Sequence, residues 1–114
     1  MNKTMIFVIA LMLVSVCAFA ANRGEATFTI SPNPVDEVTT ITVFLPANTT
    51  ISLTVEDNRG TILHTLYTGA LSAGVHNFEW DGTTEDGERL APGPYTVDLQ
   101  DERFTSVKRI IILK

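Results

Sequence analysis

The densest run of potential ligand side chains is Asp81-Gly82-Thr83-Thr84-Glu85-Asp86-Gly87-Glu88, an acidic loop of the kind that could offer carboxylate and carbonyl oxygens to calcium. It lacks the alternate-position acids and the closing bidentate Glu of a helical calcium loop, so the simpler reading is a solvated turn whose Asp side chains bond their own backbone. The two histidines, His64 and His76, have no Ser, Cys or Asp at a triad or zinc spacing and read as surface side chains. Trp80 and Tyr95 would suit stacking on a sugar, but their alternation with Phe78, Val97 and Leu99 places them in a core. Asn48-Thr49-Thr50 has the form of a glycosylation triplet and reads as a hairpin turn. None of these groups assembles a catalytic constellation, so the chain reads as non-enzymatic and without a cofactor or metal.

The elements that carry these residues are strands. From Ala26 onward, short β-branched runs alternate with turn residues and no apolar 3.6-residue period appears. Ile41, Val43 and Leu45 share one face of Thr40 to Leu45. Ile51, Leu53 and Val55 share one face of the next run, with Ser52 and Thr54 outward. The turn Asp57-Asn58-Arg59-Gly60 feeds Thr61 to Thr68, where Ile62, Leu63 and Leu66 break alternation and predict a bulge. Val75 to Trp80, a strand from Tyr95 to Gln100, and Phe104 to Leu113 follow, with an opening strand around Thr27 to Ser31. About seven strands on one chain predict an all-β, immunoglobulin-like (fibronectin III-like) antiparallel β-sandwich. Pro94 cannot donate to a ladder, so its strand should begin at an edge or after it. Ile110, Ile111, Ile112 and Leu113 leave the last strand no polar face. It is either central under a covering loop, the simpler reading, or half exposed toward a partner.

Residues 1–20 read as a secretory signal: Lys3 is the only charge, an apolar run spans Met5 to Val16, and Ala18-Phe19-Ala20 offers small residues for cleavage before Ala21. The competing readings are a membrane anchor, for which the run is short, and a lipidated Cys17, before which Val16 is bulky. Cleavage leaves residues 21–114, enough for one domain, and removes the only cysteine, so disulfides would play no part. The net charge of −5 argues against nucleic acid and anionic lipid as partners.

Taken together, Ser31-Pro32-Asn33-Pro34, Asp57-Asn58-Arg59-Gly60, Leu71-Ser72-Ala73-Gly74-Val75-His76, Trp80-Asp81-Gly82, Gly87, Pro92-Gly93-Pro94-Tyr95 and the closing Lys108-Arg109-Ile110-Ile111-Ile112-Leu113-Lys114 resemble the Ig-like domain of the flagellar hook-capping protein family. The same module is similar to the C-terminal sorting domain of type IX secretion substrates. The resemblance covers about Ala26 to Lys114 and implies a structural signature of Pro32, Pro34, Gly60, Gly74, Trp80, Asp81, Gly82, Gly87, Gly93 and Tyr95. In the sorting family it also implies that the terminal basic residues, here Lys108, Arg109 and Lys114, take part in recognition by export machinery. The expectation is an exported module of the periplasm, cell surface or medium. It would act through protein contacts in type IX-type sorting, surface attachment or extracellular assembly, with secretion or surface-assembly machinery as partner and no membrane span after cleavage. The rival expectation is a small secreted carbohydrate- or calcium-binding sandwich.

Overall fold

Seven strands form two antiparallel sheets in the computed structural model, which describes residues 24–103 and 105–114. The expected signal segment lies outside the described residues. Strands β1 (Thr27–Ser31), β2 (Thr39–Leu45) and β5 (Gly74–Trp80) make one sheet in the order β1-β2-β5. Strands β3 (Thr49–Glu56), β4 (Ile62–Leu71), β6 (Gly93–Asp101) and β7 (Ser106–Leu113) make the other, in the order β4-β3-β6-β7. The alternation that predicted an Ig-like sandwich is what builds the core. Phe28, Ile41, Val43 and Leu45 from the first sheet meet Ile51, Leu53, Val55, Val97, Leu99, Ile111 and Leu113 from the second, all buried.

The expected bulge in β4 is present. Register shifts between Leu53 and Thr54 and between Val55 and Glu56 pass over Leu66 and Leu63, the residues that broke the alternation. Three expectations need correction. Thr54 is buried, not outward in solvent, because β3 is an inner strand and Thr65 and Asp98 flank Thr54 on its two neighbours. Strand β6 is also internal, and it starts one residue before Pro94. The proline is tolerated because it lies opposite Ile112 of β7, ahead of the first β3 partner at Thr96. Finally, β7 is not a central strand but the end strand of its sheet, with Ile111 and Leu113 buried while Ile110 and Ile112 are 57% and 43% exposed.

The free edge of β7 is closed over part of its length by the segment between β1 and β2. Asn33 donates from Nδ2 to Ile110 O and accepts at Oδ1 from the Ile112 N–H, both at 3.0 Å. Val35 continues the seal, its N–H on Ile112 O at 2.7 Å and its O receiving the Lys114 N–H at 3.0 Å. The fully buried Val35 side chain anchors this crossing in the core. Unpaired edge groups invite pairing with other chains, and here side-chain amide and backbone together occupy them from Ile110 to Lys114.

Candidate functional site

The loop between β5 and β6 is tied down from within. Trp80 ends β5 buried at 2% exposure, and its Nε1–H donates to Thr83 O at 2.9 Å. The same carbonyl lies 2.6 Å from His64 Nδ1, and since a carbonyl can only accept, Nδ1 is the donor. His64 Nε2 is 3.7 Å from Glu85 Oε2, while Glu85 Oε1 accepts the Thr65 N–H at 2.9 Å. His64 is therefore a half-buried strut between β4 and the loop, not the free surface group expected from sequence. No spacing signal links His64 to Thr83, because only the sheet brings β4 under that loop. His76 lies on β5 with Nε2 2.7 Å from Ser72 O.

The acidic residues of the loop point to different partners. Asp81 Oδ1 accepts from Thr83 Oγ1 at 2.5 Å, and Arg89 spans the loop base by donating to Asp81 O at 2.8 Å and to Asp36 O at 2.9 Å. Among the described residues no three Asp, Glu, His or Cys side chains converge in a way that could hold a metal ion. Gly82, two residues after Trp80, sits at φ 78°, a left-handed conformation that favours glycine, and a Cβ there would meet Leu113 and the Arg89 guanidinium at ordinary contact distance. Gly60 turns between β3 and β4, Gly74 and Gly93 open β5 and β6, and Gly87 sits in the acidic loop. Pro32 and Pro34 bracket Asn33, and Pro32 O accepts from Thr39 Oγ1 at 2.7 Å. Tyr95 packs its ring on the core and donates its hydroxyl to Ala91 O at 2.6 Å. Trp80 presents no ring face for sugar stacking.

The three basic residues near the C-terminus do not form one patch. Lys108 lies on the outer face of its sheet, with Nζ 3.6 Å from the buried Glu56 carboxylate. Arg109, one residue on, points to the opposite face, where Nε donates to Phe28 O at 2.7 Å and the guanidinium sits 5.5 Å from the centre of the Phe28 ring. Lys114 follows the end of β7. Arg109 thus joins the two sheets, and its charge is not incidental to the fold.

Two exposed apolar groups stand on the outer faces. Phe44 and Val75, 49% and 62% exposed, are register partners on β2 and β5. Ile110 and Ile112 form the other group on β7, beside Thr96 and Pro94 of β6. The alternation within β2 carried the first signal, since Val43 and Leu45 inward place Phe44 outward. Val75 could not be paired with it before the register was known.

The family model of the FlgD Ig-like domain matches residues 20–103, well over half of the chain. The chain belongs to the FlgD Ig-like domain family. It is 41% identical over 49 residues to the basal-body rod modification protein FlgD of Escherichia coli strain K12, a stretch that is 43% of this chain and 21% of that protein. The matched stretch thus spans about a fifth of that relative's length. Its fold is shared by the crystal structure of dimeric latent PorU from Porphyromonas gingivalis, at a TM-score of 0.64 and 17% identity over 77% of this chain and 9% of that one. PorZ of the same organism, an essential surface component of its type IX secretion system, aligns at a TM-score of 0.50 and 22% identity over 76% of this chain and 11% of PorZ. The family match stops at Arg103, before β7 begins.

Proposed function

We propose that this FlgD-type domain is an exported, non-enzymatic module that works by holding other proteins, in type IX-type sorting, surface attachment or extracellular assembly. Residues 1–20 would serve as its cleaved signal. The observation that carries the reading is the pair of exposed apolar groups on opposite outer faces, Phe44 with Val75 and Ile110 with Ile112, on a domain whose core is already complete. Solvated apolar side chains grouped on a sheet face are a surface that contact with another protein would cover. Membership of a family named for the flagellar FlgD protein, and a fold found in PorZ, support an assembly role.

The test is site-specific photocrosslinking in the native host, with the crosslinker at Phe44 or Ile112 and at the exposed turn residue Asn58 as control. The expected result is a discrete envelope protein, identified by mass spectrometry, joined from Phe44 or Ile112 and not from Asn58, on a chain whose intact mass begins at Ala21. A chain retaining Met1 in the cytoplasm, or one crosslinked equally from all three positions, would overturn the reading.

A further inference from the structure

A cleft of about 460 Å³ runs between β1 and β7, where the edge strands of the two sheets come side by side. Phe28, Thr29, Ile30 and Asn33 line it from one side and Lys108, Arg109 and Ile110 from the other. Three properties of this cleft converge. First, β1 pairs with β2 on one side only. Phe28 O, on the edge away from β2, accepts from Arg109, and strand alternation carries the Phe28 N–H and the N–H and C=O of Ile30 to that same edge, where a further strand could pair with them. Second, Arg109 lines the cleft as an exposed side chain whose Nε is bonded to Phe28 O, and a guanidinium is the fork that matches a carboxylate. Third, among the described residues no Asp or Glu lines the cleft although the chain carries a net charge of −5, so a cationic point is set in an otherwise acidic molecule. Lys108 does not add to it, because its ammonium is on the outer face with Glu56.

We propose that the cleft between β1 and β7 receives an extended acidic segment of a partner protein, which adds as a strand to the β1 edge and seats a carboxylate on the Arg109 guanidinium. Backbone pairing along an open edge supplies affinity without sequence preference, and one fixed charge sets register. Asn33 bounds the cleft at one end, since both ends of its amide are committed to β7. This proposal rests on the protein-contact reading and gives it a partner chemistry.

The experiment is titration of the exported chain, labelled with nitrogen-15, by the capped peptide Thr-Val-Glu-Val-Thr and its Gln twin. Binding of the Glu peptide should shift the amides of Phe28, Ile30 and Lys108. The Gln twin should bind about tenfold more weakly, the loss expected for a charge-assisted pair. A Glu peptide N-methylated on alternate residues should fail to bind, and Arg109→Gln should erase the Glu preference. Since Arg109→Gln also removes the bond to Phe28, the peptide-side changes decide the matter should that variant fold poorly. Equal binding of Glu and Gln peptides, shifts on Phe44 and Val75 instead, or the same shifts from sodium acetate alone would overturn the proposal. So would dimerisation through the cleft in the absence of peptide. If the peptides fail while crosslinks from Phe44 or Ile112 persist, only the cleft is wrong; if both fail, the protein-contact reading goes too.

Discussion

Asp57 shows how one carboxylate shapes a turn. Its Oδ1 accepts the N–H of Thr61 at 3.0 Å and of Arg59 at 2.8 Å, closing the Asp57-Asn58-Arg59-Gly60 reversal. The Thr61 N–H, and then the Arg59 N–H, favour the charged form and hold this carboxyl below its ordinary value. A lowered folded-state value means that the contribution is complete above the unfolded carboxylate range and is lost as pH falls through the lower folded value. Asp57→Ala should therefore melt below the parent at neutral pH, and the gap should close in acid. Thermal melts across the acid range check this, and a gap that stays constant would refute it. Trp80 acts at the same scale but through volume. With its indole buried and Nε1 on Thr83 O, Trp80→Ala should cost about 3 to 5 kcal/mol, against a total of roughly 5 to 15 kcal/mol for a small domain. A urea titration that left the midpoint unmoved would show that the ring is not a core anchor.

Among the elements, β7 depends on a segment that is not a strand. Asn33→Ala would free Ile110 O and the Ile112 N–H at the edge, at a cost of about 1 to 2 kcal/mol for two hydrogen bonds. Amide exchange should report it locally: Ile112 should lose protection while Val97 and Leu99, in the internal β6, keep theirs. Unchanged protection at Ile112 would mean the side-chain bonds do not hold the edge. The sequence made the strands legible because inward residues at period two name their own faces, as in Ile41, Val43 and Leu45. The β4 bulge was legible as well, through the failed alternation of Leu63 and Leu66. Position within a sheet was not. Whether β7 is central or terminal is decided by pairings distant in the chain, and the Asn33 contacts with Ile110 and Ile112 span nearly the whole domain. The opposite destinations of Lys108 and Arg109 were implicit in period two, yet what each would meet, Glu56 or Phe28, required the assembled sandwich.

At the scale of the whole molecule, the physical domain and the family match have different ends. The match covers residues 20–103, whereas β7 lies wholly beyond it and pairs with β6 from Ser106 to Leu113. Fully burying a branched aliphatic side chain is worth roughly 1.5 to 3 kcal/mol, and Ile111 and Leu113 are two such side chains. Their removal would also bare Val97 and Leu99 along a new β6 edge, loosen Val35 by taking away its two backbone partners, and strip Phe28 of its Arg109 cover. Summed against a stability of roughly 5 to 15 kcal/mol, these losses leave little or nothing of the fold. A chain ending at Arg103 should thus lack a cooperative melt and should aggregate through the exposed β6, a long internal strand with none of the edge protection that Asn33 and Val35 give β7. Circular dichroism and urea unfolding of the two lengths decide between this account and one in which β7 is an appendage. A shortened chain that unfolds cooperatively near the parent's midpoint would make residues 24–103 the folding unit and β7 a detachable strand.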